Sequence, residues 1–123
     1  MMKLYIDDIR PAPDDWQQAR TVTDAIRFLS QFGKEVDEIS IDHDISYAVE
    51  VAGTQRPFPS PENFSAVAYF IAAYYKETPN SKKPQIIIHT ANPVGGKELA
   101  DILKDFCGKI EPASRVNRLE SEV

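Results

Sequence analysis

Three short runs of apolar residues each end abruptly on acids or histidines, and this recurrence constrains the fold more than any other feature of the chain. They are Lys3-Leu4-Tyr5-Ile6-Asp7, Glu38-Ile39-Ser40-Ile41-Asp42 and Gln85-Ile86-Ile87-Ile88-His89-Thr90. Runs this short suit strands. The uninterrupted isoleucines 86–88 suit a strand buried on both faces of a parallel sheet. Helical spacing fills the intervals. Thr23 reads as an N-cap, followed by the stripe Ile26, Leu29 and Phe32, with Asp24, Arg27 and Gln31 outward and Gly33 as the stop. Phe64, Val67, Ala68, Ile71 and Tyr75 mark a second helix over residues 62–77, whose other faces carry Tyr69, Phe70 and Tyr74. Asn92-Pro93-Val94-Gly95-Gly96 opens a third, with Leu99, Ile102, Leu103 and Phe106 inward. Its outer positions, Lys97, Asp101 and Lys104, let opposite charges meet, and Gly108 ends it.

The remaining segments are weaker signals. A brief extended piece is expected at residues 20–22 and a short last strand at 109–113, while the tail 117–123 reads as frayed. Residues 9–15 form a proline-broken loop. Residues 45–61 show no sustained periodicity, contain Gly53, Pro57, Pro59 and Pro61, and read as a lid or binding loop. Strands alternating with helices predict a single α/β domain over residues 1–123, built on an open parallel sheet with right-handed crossovers.

Composition narrows the function. The net charge of −5 argues against binding to double-stranded DNA, because phosphate contacts need surplus Lys and Arg. No apolar run spans a bilayer and the N-terminal residues lack signal-peptide organisation, so a cytoplasmic protein with no membrane partner is expected. The single cysteine, Cys107, reads as a small core residue.

In an open parallel sheet, ligands bind outside the carboxyl ends of the strands. All three strand endings, Asp7-Asp8, Asp42-His43-Asp44 and His89-Thr90 with Asn92, therefore converge on one edge. Gathered carboxylates raise one another's pKa unless a cation joins them. Hard oxygen donors favour a divalent ion such as Mg²⁺ or Mn²⁺, and two imidazoles extend the choice to Fe or Zn. The 91–97 loop offers glycines and amides at a helix N-terminus to a phosphate, with Arg10 and Lys97 as compensating charge.

These same residues carry a resemblance. Leu4-Tyr5-Ile6-Asp7-Asp8-Ile9-Arg10-Pro11, Ser40-Ile41-Asp42-His43-Asp44 and Ile88-His89-Thr90-Ala91-Asn92-Pro93-Val94-Gly95 together resemble the cyclic-phosphate processing receiver domains, a divergent branch of the receivers of two-component signalling. The likeness runs from about residue 3 to about residue 106. It implies a three-layer, flavodoxin-like (receiver-like) fold and a ligand that is a small cyclic phosphate, on a nucleotide or an RNA end. Against an ordinary phosphoacceptor receiver, Asp7 and Asp8 match the acidic metal-binding pair, Asp42 the aspartate that takes the phosphoryl group, and Thr90 the hydroxyl residue. The lysine that usually follows the fifth strand has no counterpart, since Lys109 falls before that strand. His43 and His89 are foreign to the ordinary pattern.

The expected chemistry is metal-assisted hydrolysis of a cyclic phosphodiester. Asp7, Asp8, Asp42 and Asp44 would hold the metal, with Asp42 also a catalytic candidate. His89 or His43 would protonate the departing oxygen. Arg10, Thr90, Asn92, Gly95 and Gly96 would hold the phosphate. The alternatives are a phosphoacceptor signalling domain, a sensor that binds phosphate without turnover, and an interaction domain using its tyrosine-rich helix with an unknown protein partner.

Overall fold

A computed structural model describes residues 1–79, 82–104 and 110–111. Five strands form one sheet: β1 (Met2–Ile6), β2 (Gln17–Ala19), β3 (Val36–Ile41), β6 (Gln85–Ile88) and β7 (Ile110–Glu111). A separate antiparallel hairpin is made of β4 (Asp44–Val51) and β5 (Thr54–Asn63). The helices are α1 (Val22–Phe32), α2 (Ser65–Glu77) and α3 (Pro93–Leu103). The large sheet runs β2-β1-β3-β6-β7 and every pairing in it is parallel. With the hairpin set aside, this is the 2-1-3-4-5 order of flavodoxin-like folds.

Handedness decides which face each connection covers. From β2 onward the crossovers all step in one direction across the sheet, so right-handedness puts α1, α2 and α3 on one face. There α1 packs on α2 and α2 on α3. The β1-to-β2 step runs the opposite way and crosses the other face, as a loop of residues 7–16. Gln18 on β2 staples that loop. Its amide donates to the carbonyls of Asp7 (3.2 Å) and Arg10 (2.7 Å), and its carbonyl accepts from the Ala12 amide (2.8 Å).

Strand residues alternate between the two faces. Leu4, Ile6, Ile39, Ile41, Ile86 and Ile88 point to the helices and are buried with Val67, Ile71, Leu99 and Leu103 in one core. Tyr5, Ser40 and Ile87 take the opposite parity. Ile87 is only half-buried, so β6 is less enclosed on that second face than its run of isoleucines predicts.

Other expectations also move. The extended piece is β2, three residues before 20–22, in a segment with no apolar signal. The cap of α1 is Thr21, whose Oγ1 accepts from the Asp24 amide at 3.0 Å, and Thr23 lies inside the first turn.

The largest correction concerns residues 45–61, which form most of the hairpin. Its two-residue turn, Ala52-Gly53, has both φ angles positive, at 52° and 81°. That is the type I′ turn whose twist matches paired strands. The prolines do not break β5, because Pro57 and Pro59 sit opposite Ala48 and Ser46. Counting outward from the hydrogen-bonded Val51–Thr54 pair, these are non-hydrogen-bonded positions, where an amide points away from the partner strand. Phe106, Cys107, Gly108, Lys109 and the tail 117–123 lie outside the described residues.

Candidate functional site

Register builds the site. Ile6, Ile41 and Ile88 stand side by side on β1, β3 and β6. The next residue on each strand is Asp7, Asp42 or His89, still held in the ladder. The Asp7 amide donates to the Ala19 carbonyl (3.0 Å), Asp42 to Ile6 (2.9 Å) and His89 to Ile41 (3.0 Å). Equivalent positions on neighbouring parallel strands share a face, so the three side chains meet on the one opposite the helices. One donor atom from each lies within 4.8 Å of the others, and all three residues are buried.

Asp7 is the most heavily engaged. Its Oδ1 accepts from the Ile9 and Arg10 amides, both at 2.9 Å, and its Oδ2 from His89 Nε2 at 3.0 Å and Arg10 Nη1 at 3.2 Å. Burial pushes its carboxyl up, but the His89 bond and the two amides outweigh that and hold it below the usual carboxylate value. His89 is fully buried and uses both ring nitrogens, since Nδ1 shares a 2.6 Å hydrogen bond with Ser40 Oγ. Its ring stacks on Tyr5 with 4.4 Å between centroids and 6° between planes.

Asp42 is the other half of a contrast. Burial, then the charge of Asp7, pushes its carboxyl above the usual value. The His43 amide (2.7 Å) and the Thr90 hydroxyl donate to it and offset only part of that. Arg10 Nη1 stands 3.8 Å from Asp42 Oδ2 and donates to the His89 carbonyl at 3.1 Å. Asp7, Asp8, Arg10, Asp42, Asp44 and Thr90 line a cleft of about 220 Å³.

The remaining expected residues form a flank. His43 has the parity of Ile41 and turns toward the helices, where its ring lies so close to Gly95 that a Cβ there would stand 2.4 Å from His43 Cγ. Its Nδ1 donates to Asp44 Oδ1 at 2.7 Å. Its buried Nε2 has no hydrogen-bond partner, the Glu98 carboxylate standing at 3.6 Å. Burial raises the Asp44 carboxyl, but the bonds from His43 and Asn92 bring it below the usual range. Asn92 caps α3, its Oδ1 accepting from the Gly95 amide at 3.0 Å, while the Gly96 amide donates to the Asn92 carbonyl at 2.8 Å. Both glycine amides are thus committed to the cap. They would hold a phosphate only by giving it up. Lys97 is exposed and pairs with Asp101 at 3.6 Å, apart from the cleft residues.

Sequence reasoning placed the acids and His89 at one edge but did not single out Ser40, Tyr5 or Gln18. A serine between two isoleucines of a buried strand was the one available signal.

The fold order and this strand-end cluster of acids define a receiver-like domain. The family model of the cyclic-phosphate processing Receiver domain matches residues 2–105, and the chain belongs to that family. No curated protein and no solved structure matches it.

Proposed function

We propose that the cleft binds a cyclic phosphate together with a divalent cation and opens its phosphodiester bond. The observation that carries this reading is the unequal carboxylate pair. Asp7 is held ionised by four donors, and Asp42 beside it has its charge disfavoured by burial and by Asp7, a conflict that a cation in the cleft relieves.

The donor set fits such an ion. Asp42 gathers with Asp7 and His89 within 4.8 Å, and Asp8 and Asp44 line the same cleft, carboxylate oxygens that suit Mg²⁺ or Mn²⁺. Asp7 joins them only by exchanging a bond, because its oxygens already accept from two amides, His89 and Arg10. When bound, the ion would polarise a phosphoryl oxygen and make water a better nucleophile. The chain's own part is to bind and orient. Arg10 sets its guanidinium between Asp7 and Asp42, where it neutralises phosphoryl charge, and Thr90 would turn its hydroxyl to the phosphate only by giving up its bond to Asp42. His89 is enclosed and doubly bonded, so its role becomes to orient Asp7, and protonation of the leaving oxygen passes to a group open to the cleft.

The test is a thermal-shift titration with Mg²⁺ or Mn²⁺, alone and with 2′,3′- and 3′,5′-cyclic nucleotides, coupled to chromatography of the products. A metal-dependent shift with a ring-opened product, both lost in Asp42→Ala, is the expected result. A shift without product leaves a phosphate sensor. No shift with any metal or nucleotide removes the reading.

A second reading, phosphorylation of Asp42, draws on a specific observation. Arg10 puts a cation 3.8 Å from the Asp42 carboxylate, in a site that has no matching lysine in sequence. Intact mass after incubation with a small phosphodonor and Mg²⁺ decides it, and an unchanged mass ends it.

A further inference from the structure

We infer that His43, with Asn92, is a positioning residue of the cleft: the two hold Oδ1 of Asp44 and so present its Oδ2 to the divalent cation, a role that rests on the cation site proposed above. His43 reaches two carboxylates at once. Its amide donates to Asp42 Oδ1 and its Nδ1 to Asp44 Oδ1, both at 2.7 Å. A carboxylate only accepts, so the ring carries its proton on Nδ1. Asn92 Nδ2 donates to the same Asp44 oxygen at 3.2 Å. Asp44 lines the cleft beside Asp8 and Asp42, and among the described residues both of its side-chain bonds fall on Oδ1. Oδ2 is left for what the cleft binds.

A closed circuit of four residues fixes the two donors. Asn92 is held because its Oδ1 accepts from the Gly95 amide at 3.0 Å in the cap of α3. His43 is held because its ring lies against Gly95, where a Cβ would stand 2.4 Å from Cγ, and its carbonyl accepts from the Phe64 amide at 2.8 Å. The Asp44 side chain is 57% exposed, and an aspartate so open to water ordinarily samples several rotamers. Here that freedom is removed by groups anchored at the end of β3 and the start of α3.

Packing alone does not account for a histidine at this place. Among the described residues, His43 Nε2 is the one buried side-chain polar atom without a hydrogen-bond partner, the Glu98 carboxylate standing at 3.6 Å. Burying a polar atom unpaired is unfavourable, and an apolar side chain of similar size would avoid it. The ring makes a single hydrogen bond, and that bond goes to Asp44.

The experiment is isothermal titration of the full chain with Mn²⁺, with urea midpoints measured in parallel. Asparagine carries its amide nitrogen as many bonds from the backbone as Nδ1, whereas glutamine carries its own where Nε2 stands. His43→Gln should weaken Mn²⁺ binding about 10–100-fold, the usual effect of losing a group that orients a metal ligand, while His43→Asn should bind nearly as the wild type does. A ring that only filled space beside Gly95 would give the reverse order, since glutamine is the closer match in size. Asp44→Ala should bind as weakly as His43→Gln, and combining the two should add no further loss. Asn92→Ser covers the case in which no His43 variant folds. Serine caps a helix as well as asparagine does but brings no amide to Asp44, so binding should weaken here too, and unchanged affinity would overturn the proposal. Equal affinities in His43→Asn and His43→Gln, the reverse order, or additive losses in the double variant would also overturn it, and would leave the cation site standing. A wild type that binds no Mn²⁺ overturns the cation site and this role with it.

Discussion

The two faces of the β1, β3 and β6 layer are written by the same strands in alternate letters, yet they behave as different materials. The helix-facing letters, Leu4, Ile6, Ile39, Ile41, Ile86 and Ile88, are apolar and almost wholly enclosed. The other letters include Tyr5, Asp7, Ser40, Asp42 and His89, just as deeply buried but polar. Burying polar groups is tolerated only when they are hydrogen-bonded to one another. The difference lies in specificity. The first face tolerates any apolar side chain of similar volume, whereas the second works only with these partners in these places.

The severest test of that contrast is Asp7→Ala. It strips His89 Nε2 and Arg10 of a buried acceptor and releases two amides, and breaking a buried pair in this way costs about 3–5 kcal/mol. Urea unfolding should show it as a lower midpoint. Ile39→Ala on the other face opens a cavity in the fully buried core and should cost about 2–5 kcal/mol. The two variants should separate in the cleft. Folded Ile39→Ala should bind Mg²⁺ as the wild type does, and folded Asp7→Ala should not. Equal metal affinity in both would mean that the faces do not divide stability from chemistry.

Ser40→Ala sharpens the comparison with the very next residue. It removes no apolar volume from the core but leaves His89 Nδ1 without its 2.6 Å partner in a fully buried site, for about 1–3 kcal/mol. Ser40→Thr keeps the hydroxyl and should recover most of that loss. If Ser40→Ala proves neutral in urea, the second face is less exacting than its geometry implies.

How much of this was legible in the chain follows from the same alternation. A strand that ends on a charged residue announces both its terminus and its edge of the sheet, so Asp7, Asp42 and His89 could be read directly. Ser40 was legible in principle, because a hydroxyl inside an isoleucine run must find a partner. Gln18 was not, since β2 is three residues long with no apolar pattern, and its place is set by pairing with β1. Thr23 was read as the cap, whereas Thr21, two residues earlier, is the threonine whose hydroxyl accepts from the Asp24 amide. The hairpin escaped notice because Ala52-Gly53 lacks the Asn-Gly or Asp-Gly signature of a type I′ turn, and because three prolines argue against a strand unless their amides face outward. His43 stands at the same edge, but its ring packs against Gly95 on the helix side. One residue of parity separates it from Asp42, and that step turns its ring to the helices.

The smallest effect expected, and the most diagnostic, is the pH response of the two carboxylates. Asp7 sits below its unfolded value, so it contributes stability that is present above that value and lost as pH falls through the folded one. Asp42 sits above its unfolded value, so its favourable contribution is complete below the unfolded pKa and is lost as pH rises through the folded one. Asp42→Asn should therefore be more stable than wild type at neutral pH in the absence of metal. That advantage should shrink as the pH is lowered and Asp42 takes up its proton. A divalent cation should reverse the order at neutral pH, by stabilising the wild type and leaving the variant nearly unchanged. Chemical denaturation at several pH values, with and without Mg²⁺, measures both effects. Should Asp42→Asn be the less stable protein in chelator at neutral pH, the conflict between Asp7 and Asp42 is already settled by Arg10, and the cleft has no electrostatic need of a metal.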